Sequence, residues 1–241
     1  MHVAAVLIFI LAALLFSYLY IIRPWHLHWG ATHLDRIAVL RGDALSPFAS
    51  AVVTHAVNID APAEAAWRWL VQLGQDRAGF YSYTFLENLI GLGMRNTFRI
   101  VPEWQQRAIG DTVWFGSPKR FGGRARMVAA LVEPMRSLVL VTPSDWELIR
   151  AGKEGLDTTW AFSLQRKGVN TTRLVARLRS AANVTLVQHV INFLFWEPAH
   201  FVMERKMLLT IKKLAEANPQ VTLPAAQRAE SSSHGSNSVS T

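Results

Sequence analysis

Val53-Thr54-His55-Ala56-Val57-Asn58-Ile59-Asp60-Ala61-Pro62-Ala63-Glu64-Ala65-Ala66-Trp67-Arg68-Trp69-Leu70-Val71 sets the architecture of this chain. Its first residues alternate, with Val53, His55, Val57 and Ile59 on one side, which predicts a half-buried strand. Asp60 then offers a helix N-cap, Pro62 sits in the first turn, and Glu64 follows. Trp67, Leu70 and Val71 recur at i, i+3 and i+4, one face of a helix that stops at Gly74. A second short helix is predicted from Thr84 to Ile90. Strands follow over residues 112–115, 124–133 and 138–142, each ending at glycine, proline or polar punctuation. Residues 157–165 alternate, with Thr158, Trp160, Phe162 and Leu164 facing one way. In residues 171–180, Leu174, Ala176 and Leu178 share a side; Arg173, Arg177 and Arg179 lie on the other, predicted to be solvent.

A helix is expected from about Thr185 to Ala217, with Phe201, Leu208, Ile211 and Ala215 at helical spacing. Pro198 should kink or divide it near Glu197. The order is strand, two short helices, five antiparallel strands and a long helix, an α+β class. A curved sheet with one apolar face has to cover it, and the long C-terminal helix is the element large enough to do so. A bent sheet gripping one helix tends to leave a hollow lined by the side chains that fail to meet.

Upstream, Val3 to Ile22 is 20 residues without a charged side chain, thirteen of them Val, Leu, Ile or Phe. At about 1.5 Å per residue the segment spans about 30 Å, the thickness of a bilayer core. At roughly −0.4 kcal/mol each, the thirteen contribute about −5 kcal/mol toward insertion. A cleaved signal peptide is the rival reading, but it needs a basic start, a shorter apolar stretch and a small-residue cleavage site. Here the start is Met-His and the exit is Tyr18-Leu-Tyr20-Ile-Ile-Arg23-Pro24-Trp25, which suits an interfacial anchor. Trp25 and Trp29 fit the headgroup level.

The chain divides into a transmembrane anchor (1–22), a juxtamembrane connector (23–51), a folded domain (52–217) and a Ser-, Asn-, Pro- and Gln-rich tail expected to be disordered (218–241). Within the connector, Thr32 caps a short helix with Asp35 in its first turn. Arg23, Arg36 and Arg41 flank the anchor on its C-terminal side, which places the bulk of a single-pass protein in the cytoplasm. The absence of cysteine agrees with that side. Asn170-Thr-Thr and Asn183-Val-Thr match the glycosylation pattern and read as strand and turn residues. The formal net charge of +8 belongs wholly to the part beyond residue 22. With an anchor attached, an anionic inner-leaflet surface is a better partner for it than nucleic acid. Much of that charge also reads as a plain solvated face.

Ile59-Asp-Ala-Pro62-Ala-Glu64-Ala-Ala-Trp67, the run of strands and the final amphipathic helix resemble the START-like, or SRPBCC, superfamily. A poorly characterised bacterial branch is closer still. It shares Trp29-Gly-Ala-Thr32, Leu70-Val-Gln-Leu-Gly-Gln75-Asp-Arg-Ala-Gly79-Phe-Tyr-Ser-Tyr83, Leu86-Glu-Asn88, Ile100-Val-Pro-Glu-Trp104-Gln, Gly110-Asp111 and Phe201-Val-Met-Glu204-Arg-Lys. Arg41 before Gly42-Asp43 departs from its pattern, where proline is expected. The resemblance covers about residues 29–215 and implies a helix-grip fold with a cavity for a hydrophobic ligand. It implies no reaction, because the superfamily hosts carriers and enzymes.

Candidate ligand-binding groups cluster at Arg77, Tyr81, Tyr83, Glu87 and Asn88. Arg77 would anchor an anionic head group and the others would form a polar rim. The competing reading has Asp76 and Arg77 pairing locally and the tyrosines packing a helix on the sheet. Trp104, Trp114, Trp146 and Trp160 would line an apolar pocket or serve as core. Glu197-Pro-Ala-His200 with Glu204 one turn on would make a structural contact, a polar ligand contact or an acid–base pair. A second such motif is missing, so no metal is expected, and no cofactor fingerprint, Walker loop or nucleophile elbow is present. Two functions follow: a binding module for membrane lipid or another hydrophobic small molecule, or a cyclase- or hydrolase-like enzyme on such a substrate. A scaffold recruiting a partner through the Arg173–Arg179 stripe is a third.

Overall fold

The alternating segment forms β1 (Ala51–Ile59), which pairs antiparallel with β6 (Thr171–Ser180) from Ala51–Ser180 to Ile59–Thr172. The structure is a computed structural model and describes residues 2–181 and 185–219; Asn183 and most of the expected tail, from residue 220, lie outside them. Beyond β6 come β5 (Thr158–Gly168), β4 (Ser137–Val141), β3 (Arg126–Glu133) and β2 (Thr112–Trp114), giving the sheet order β1-β6-β5-β4-β3-β2, antiparallel throughout. A register shift between Ala129 and Leu131 adds local bend. The inner face presents Ile59, Leu138, Leu140, Phe162, Leu174 and Ala176, all fully buried. Against it pack α4 (Ala63–Leu70) and α9 (Glu197–Ala217), whose Leu208, Ile211 and Ala215 enter the same core. This is the helix-grip arrangement.

Several expectations change in detail. Asp60 is not the N-cap of α4: extended backbone at Pro62 delays the helix to Ala63, and the Asp60 side chain is exposed while its backbone N–H donates to Glu216. The next helix, α5, runs Thr84–Leu89, and two helices went unforeseen, α6 (Pro118–Phe121) and α7 (Pro143–Arg150). Thr142 caps α7 by accepting from Asp145 N, so Trp146 packs with Val128, Val141 and Leu156 in a separate cluster outside the main core. At the far end, α8 (Leu186–Ile191) runs into α9 through a π-turn, Asn192–Trp196. That wider turn sits just ahead of Pro198, where a missing donor has to be absorbed.

The outward face of β6 is a correction. Arg173 and Arg177 are 7% and 2% exposed, not solvated. The connector crosses them, its α3 (His33–Ile37) held by a capping box in which Thr32 and Asp35 exchange hydrogen bonds. Arg177 donates to the carbonyl of Ala38 at 2.8 Å and pairs with Asp43; Arg173 donates to Gly30 O at 2.6 Å and pairs with Asp35. Burial alone would raise the Asp35 carboxyl, but the hydrogen bonds from Arg173 and Thr32 outweigh it and hold it at about 2. A guanidinium can be buried when its fork of donors is filled, as here. Gly30 shows how close the strap lies: its φ is +70°, and a Cβ there would fall 2.1 Å from Ala56 O.

Before the connector, α1 (His2–Ser17), a π-turn (Tyr18–Ile22) and α2 (Arg23–Leu27) form one continuous helix. It is long and apolar enough to cross a membrane, with mean hydropathy 2.7 over its best window and none of that window buried. Its last turn is tied to the domain: His26 O accepts from His55 Nε2 at 2.7 Å, and Arg23 forms two hydrogen bonds to Glu197, at 2.8 and 2.9 Å.

Candidate functional site

The C-terminal half of α9 is packed solid against α4 and the sheet, through Leu208, Ile211 and Ala215. Its N-terminal half is not. There a half-open pocket of about 620 Å³ lies between α5, the first turns of α9, the π-turn before it, and Phe80, Phe115 and Trp160 from the sheet side. Its wall is overwhelmingly apolar; the ionisable groups lining it are Glu87, His200 and Glu204. That size and lining are those of a small-molecule site.

The polar floor is built from three elements. Helical spacing puts His200 and Glu204 on one face of α9, with His200 Nε2 3.4 Å from Glu204 Oε2. Strand β5 aims the Trp160 indole N–H at Glu204 Oε1, 2.6 Å away. Strand β1 brings His55 Nδ1 to the other oxygen, Oε2. The proton positions follow from the partners. A carbonyl can only accept, so His55 Nε2 carries a proton toward His26 O; Glu204 as a carboxylate accepts from a protonated Nδ1. This arrangement favours the imidazolium form of His55. Burial lowers its affinity for a proton, but Glu204 outweighs burial and the net shift is upward. Burial likewise raises Glu204, and the facing imidazoles outweigh it and hold the carboxyl well below its usual range. His55, His200 and Glu204 bring ligand atoms within 4.8 Å of one another. A metal there would have to displace the Nδ1 proton of a buried ion pair.

Glu87 behaves oppositely. It is 4% exposed and its Oε2 has no partner among the described residues. Burial pushes its carboxyl up to about 7. One pocket thus holds a carboxylate paired with an imidazole on its floor and a second carboxyl whose proton affinity is held well above the usual range.

The remaining sequence candidates fall elsewhere. Arg77 caps a loop by donating to the carbonyls of Val71, Trp104 and Gln106 and lies 3.7 Å from Asp111; it does not reach the pocket. Tyr81 is fully buried at φ +54°, its hydroxyl accepting from Gln72 at 3.1 Å. Tyr83 is exposed on the surface beside Lys206. Asn88 clamps Met94, donating to its carbonyl at 3.0 Å and accepting its N–H at 2.6 Å. Trp104 is partly buried at the edge of the core, and Trp114 carries the Arg126 guanidinium over its ring. The structure gathers Glu87, Trp160, His200 and Glu204 and leaves the other six outside.

His55 was missed as a site residue, although the sequence carried the signal: a histidine among Val53, Val57 and Ile59 on an inward face needs a buried partner. Gln72 was missed too. It donates to Tyr81 and Arg99 O and accepts from Val101 N and Gln105, so it knits together the loop that Arg77 caps.

No family model and no curated protein matches the chain. Among solved structures it is similar to an aromatase/cyclase from Streptomyces sp. R1128, at 10% identity over 71% of this chain and 96% of that one, TM-score 0.36. It is also similar to norcoclaurine synthase from Thalictrum flavum, at 13% identity over 77% and 98%, TM-score 0.35. A polyketide-cyclase-like protein from Corynebacterium glutamicum gives 14% identity over 77% and 96%, TM-score 0.29. Similarity at this level carries no argument about activity.

Proposed function

We propose that this chain is a single-pass membrane protein of a START-like, bacterial kind whose domain binds a lipid or other hydrophobic small molecule in the pocket beside α9. The observation that carries the reading is the pocket itself, about 620 Å³ with apolar walls and a few polar groups at fixed places. Anchoring supports it, because a tether keeps a poorly soluble ligand and its receptor at high effective concentration. By the positive-inside argument the domain is cytoplasmic, beside the anionic inner leaflet.

Native mass spectrometry of the full chain, extracted in mild detergent, tests it. The wild type should carry or exchange an apolar molecule, and Ala199→Trp, which fills the pocket from α9, should lose it while the domain stays folded. Equal occupancy in the two, or none in either, would overturn the reading.

An enzyme acting on a hydrophobic substrate is the second reading. It is favoured by one feature: Glu87 and Glu204 line one pocket with their proton affinities pushed in opposite directions, a recurring property of acid–base sites. Conversion of a bound apolar compound that is lost in Glu87→Gln without loss of binding would establish it. The scaffold reading loses its basis at Arg173 and Arg177, which are buried.

A further inference from the structure

Helix α8 and its π-turn carry an apolar surface that nothing among the described residues covers. Leu186, Val187, Val190, Ile191, Leu194 and Phe195 are all exposed, the first at 80%. No Asp, Glu, Lys or Arg occurs between Arg179 and Glu197. Of its polar side chains, Gln188 donates to Asn192 at 3.0 Å, and His189 is exposed. A soluble domain seldom leaves such a contiguous patch in water.

The neighbour of this segment tells what covers it. It lies beside the apolar N-terminal helix and runs in the same direction, so that two pairs of residues match in level. Tyr18 donates its hydroxyl to Phe193 O at 3.1 Å and meets the Phe193 ring edge-on at 5.1 Å. One turn further on, Arg23 pairs with Glu197 through both carboxylate oxygens. Trp25 and Trp196, 56% and 50% exposed, sit close to that ion pair in sequence, as interfacial tryptophans do. From Glu197 back to Leu186, at about 1.5 Å per residue, α8 and its π-turn together reach about 16 Å, or half of a core about 30 Å thick. That is too short to span and suited to a re-entrant helix, whose backbone is satisfied internally.

We propose that residues 186–196 form a re-entrant helix in the leaflet that holds the C-terminal half of the anchor, with acyl chains as its partner. The inference rests on the anchored-binder reading and deepens it. Leu194, Phe195 and Trp196 line the pocket together with Leu86 and Leu89 of α5 and Ile90 just beyond it, and because all six are also exposed they form the rim of its mouth. A mouth with that rim at that level opens into lipid. The ligand is then a membrane-dissolved lipid-like molecule that enters laterally from the leaflet.

The chain contains no cysteine, so single nitroxide labels are unambiguous. The full-length protein is reconstituted in phosphatidylcholine–phosphatidylglycerol bilayers with one label at a time: Val187→Cys, Val190→Cys, Leu14→Cys in the anchor, and Val169→Cys in the 88% exposed β5–β6 turn. Collision with oxygen, which favours lipid, is compared with collision with a water-soluble nickel chelate. Labels at 187 and 190 should match the one at 14, with the oxygen-to-chelate ratio inverted relative to 169. If 187 and 190 match 169 while 14 stays in lipid, the inference falls and the anchor stands. If 14 also reports water, the anchor falls with it. Shielding of 187 and 190 from both reagents, with spin–spin broadening, would assign the patch to a second copy and overturn the lipid assignment. Ligand occupancy by mass spectrometry fails or holds independently of these labels.

Discussion

His55 and Glu204, 149 residues apart in sequence, form an ion pair buried between β1 and α9 at the floor of the pocket. The same imidazole donates from Nε2 to His26 O in the last turn of the apolar N-terminal helix. The pair therefore couples the N-terminal helix, the sheet and the closing helix. Replacing Glu204 by Gln leaves a buried imidazole without its counter-charge, and breaking such a pair typically costs about 3–5 kcal/mol. Chemical denaturation of Glu204→Gln should show a loss of that order, and nuclear magnetic resonance titration should show His55 releasing its proton at lower pH than in the wild type. An unchanged midpoint would remove the pair from the stability of the fold.

The pair also fixes a pH window. Glu204 is held below its usual 4.5, so its contribution is full above that value and is lost as pH falls through the depressed one. His55 is raised above its usual 6.5, so its contribution is full below that value and is lost as pH rises through the raised one. Both act in full only between pH 4.5 and 6.5. The stability difference between wild type and Glu204→Gln should be widest there and shrink on either side; a difference independent of pH would contradict the assignment.

The sheet and the long helices were legible because their periodicity is local: Thr171–Ser180 falls on the predicted residues, and β5 shifts by one residue at its start. The connector strap was not. Arg173 and Arg177 alternate with Leu174 and Ala176 as solvent-facing residues do, and their partners Asp35 and Asp43 lie more than a hundred residues away. Pattern reads polarity, not what later covers a face. The pocket was legible in part for the same reason. His200 and Glu204 share a helical face that spacing predicts, whereas Tyr81 and Arg77 turn from it because Gln72 and backbone carbonyls claim them.

Glu87 titrates in the opposite sense to most carboxyls. Its folded value of about 7 lies above the usual 4.5, so the folded state holds the extra proton and this group lowers stability as pH rises from 4.5 toward 7. Ionising it also places a charge in an apolar wall. Binding of a neutral apolar dye such as Nile red to the wild type should therefore weaken as pH rises through about 7. Glu87→Gln, which stays neutral, should bind evenly across that range. A parallel pH profile in the two proteins would place the titrating group elsewhere.

The connector strap makes a separable prediction, since its Arg177 clamp lies on the outer face of the sheet, away from the pocket. Arg177 donates to three connector carbonyls, of Asp35, Arg36 and Ala38, and pairs with Asp43. In Arg177→Leu the carbonyls lose their donor and Asp43 keeps only Arg179, at 4.0 Å, and the Leu40 N–H, so the loss should approach but not reach the about 3–5 kcal/mol of a fully uncompensated buried charge. Adding Asp43→Asn removes that charge, so the double variant should recover part of the loss; full additivity would mean that the two side chains do not interact. The strap should also loosen before the sheet does. Trypsin should then cut Arg177→Leu at Arg36 or Arg41 under conditions that leave the wild type intact, while Nile red binding in the pocket persists. Resistance at both sites would show that the clamp does not hold the connector down.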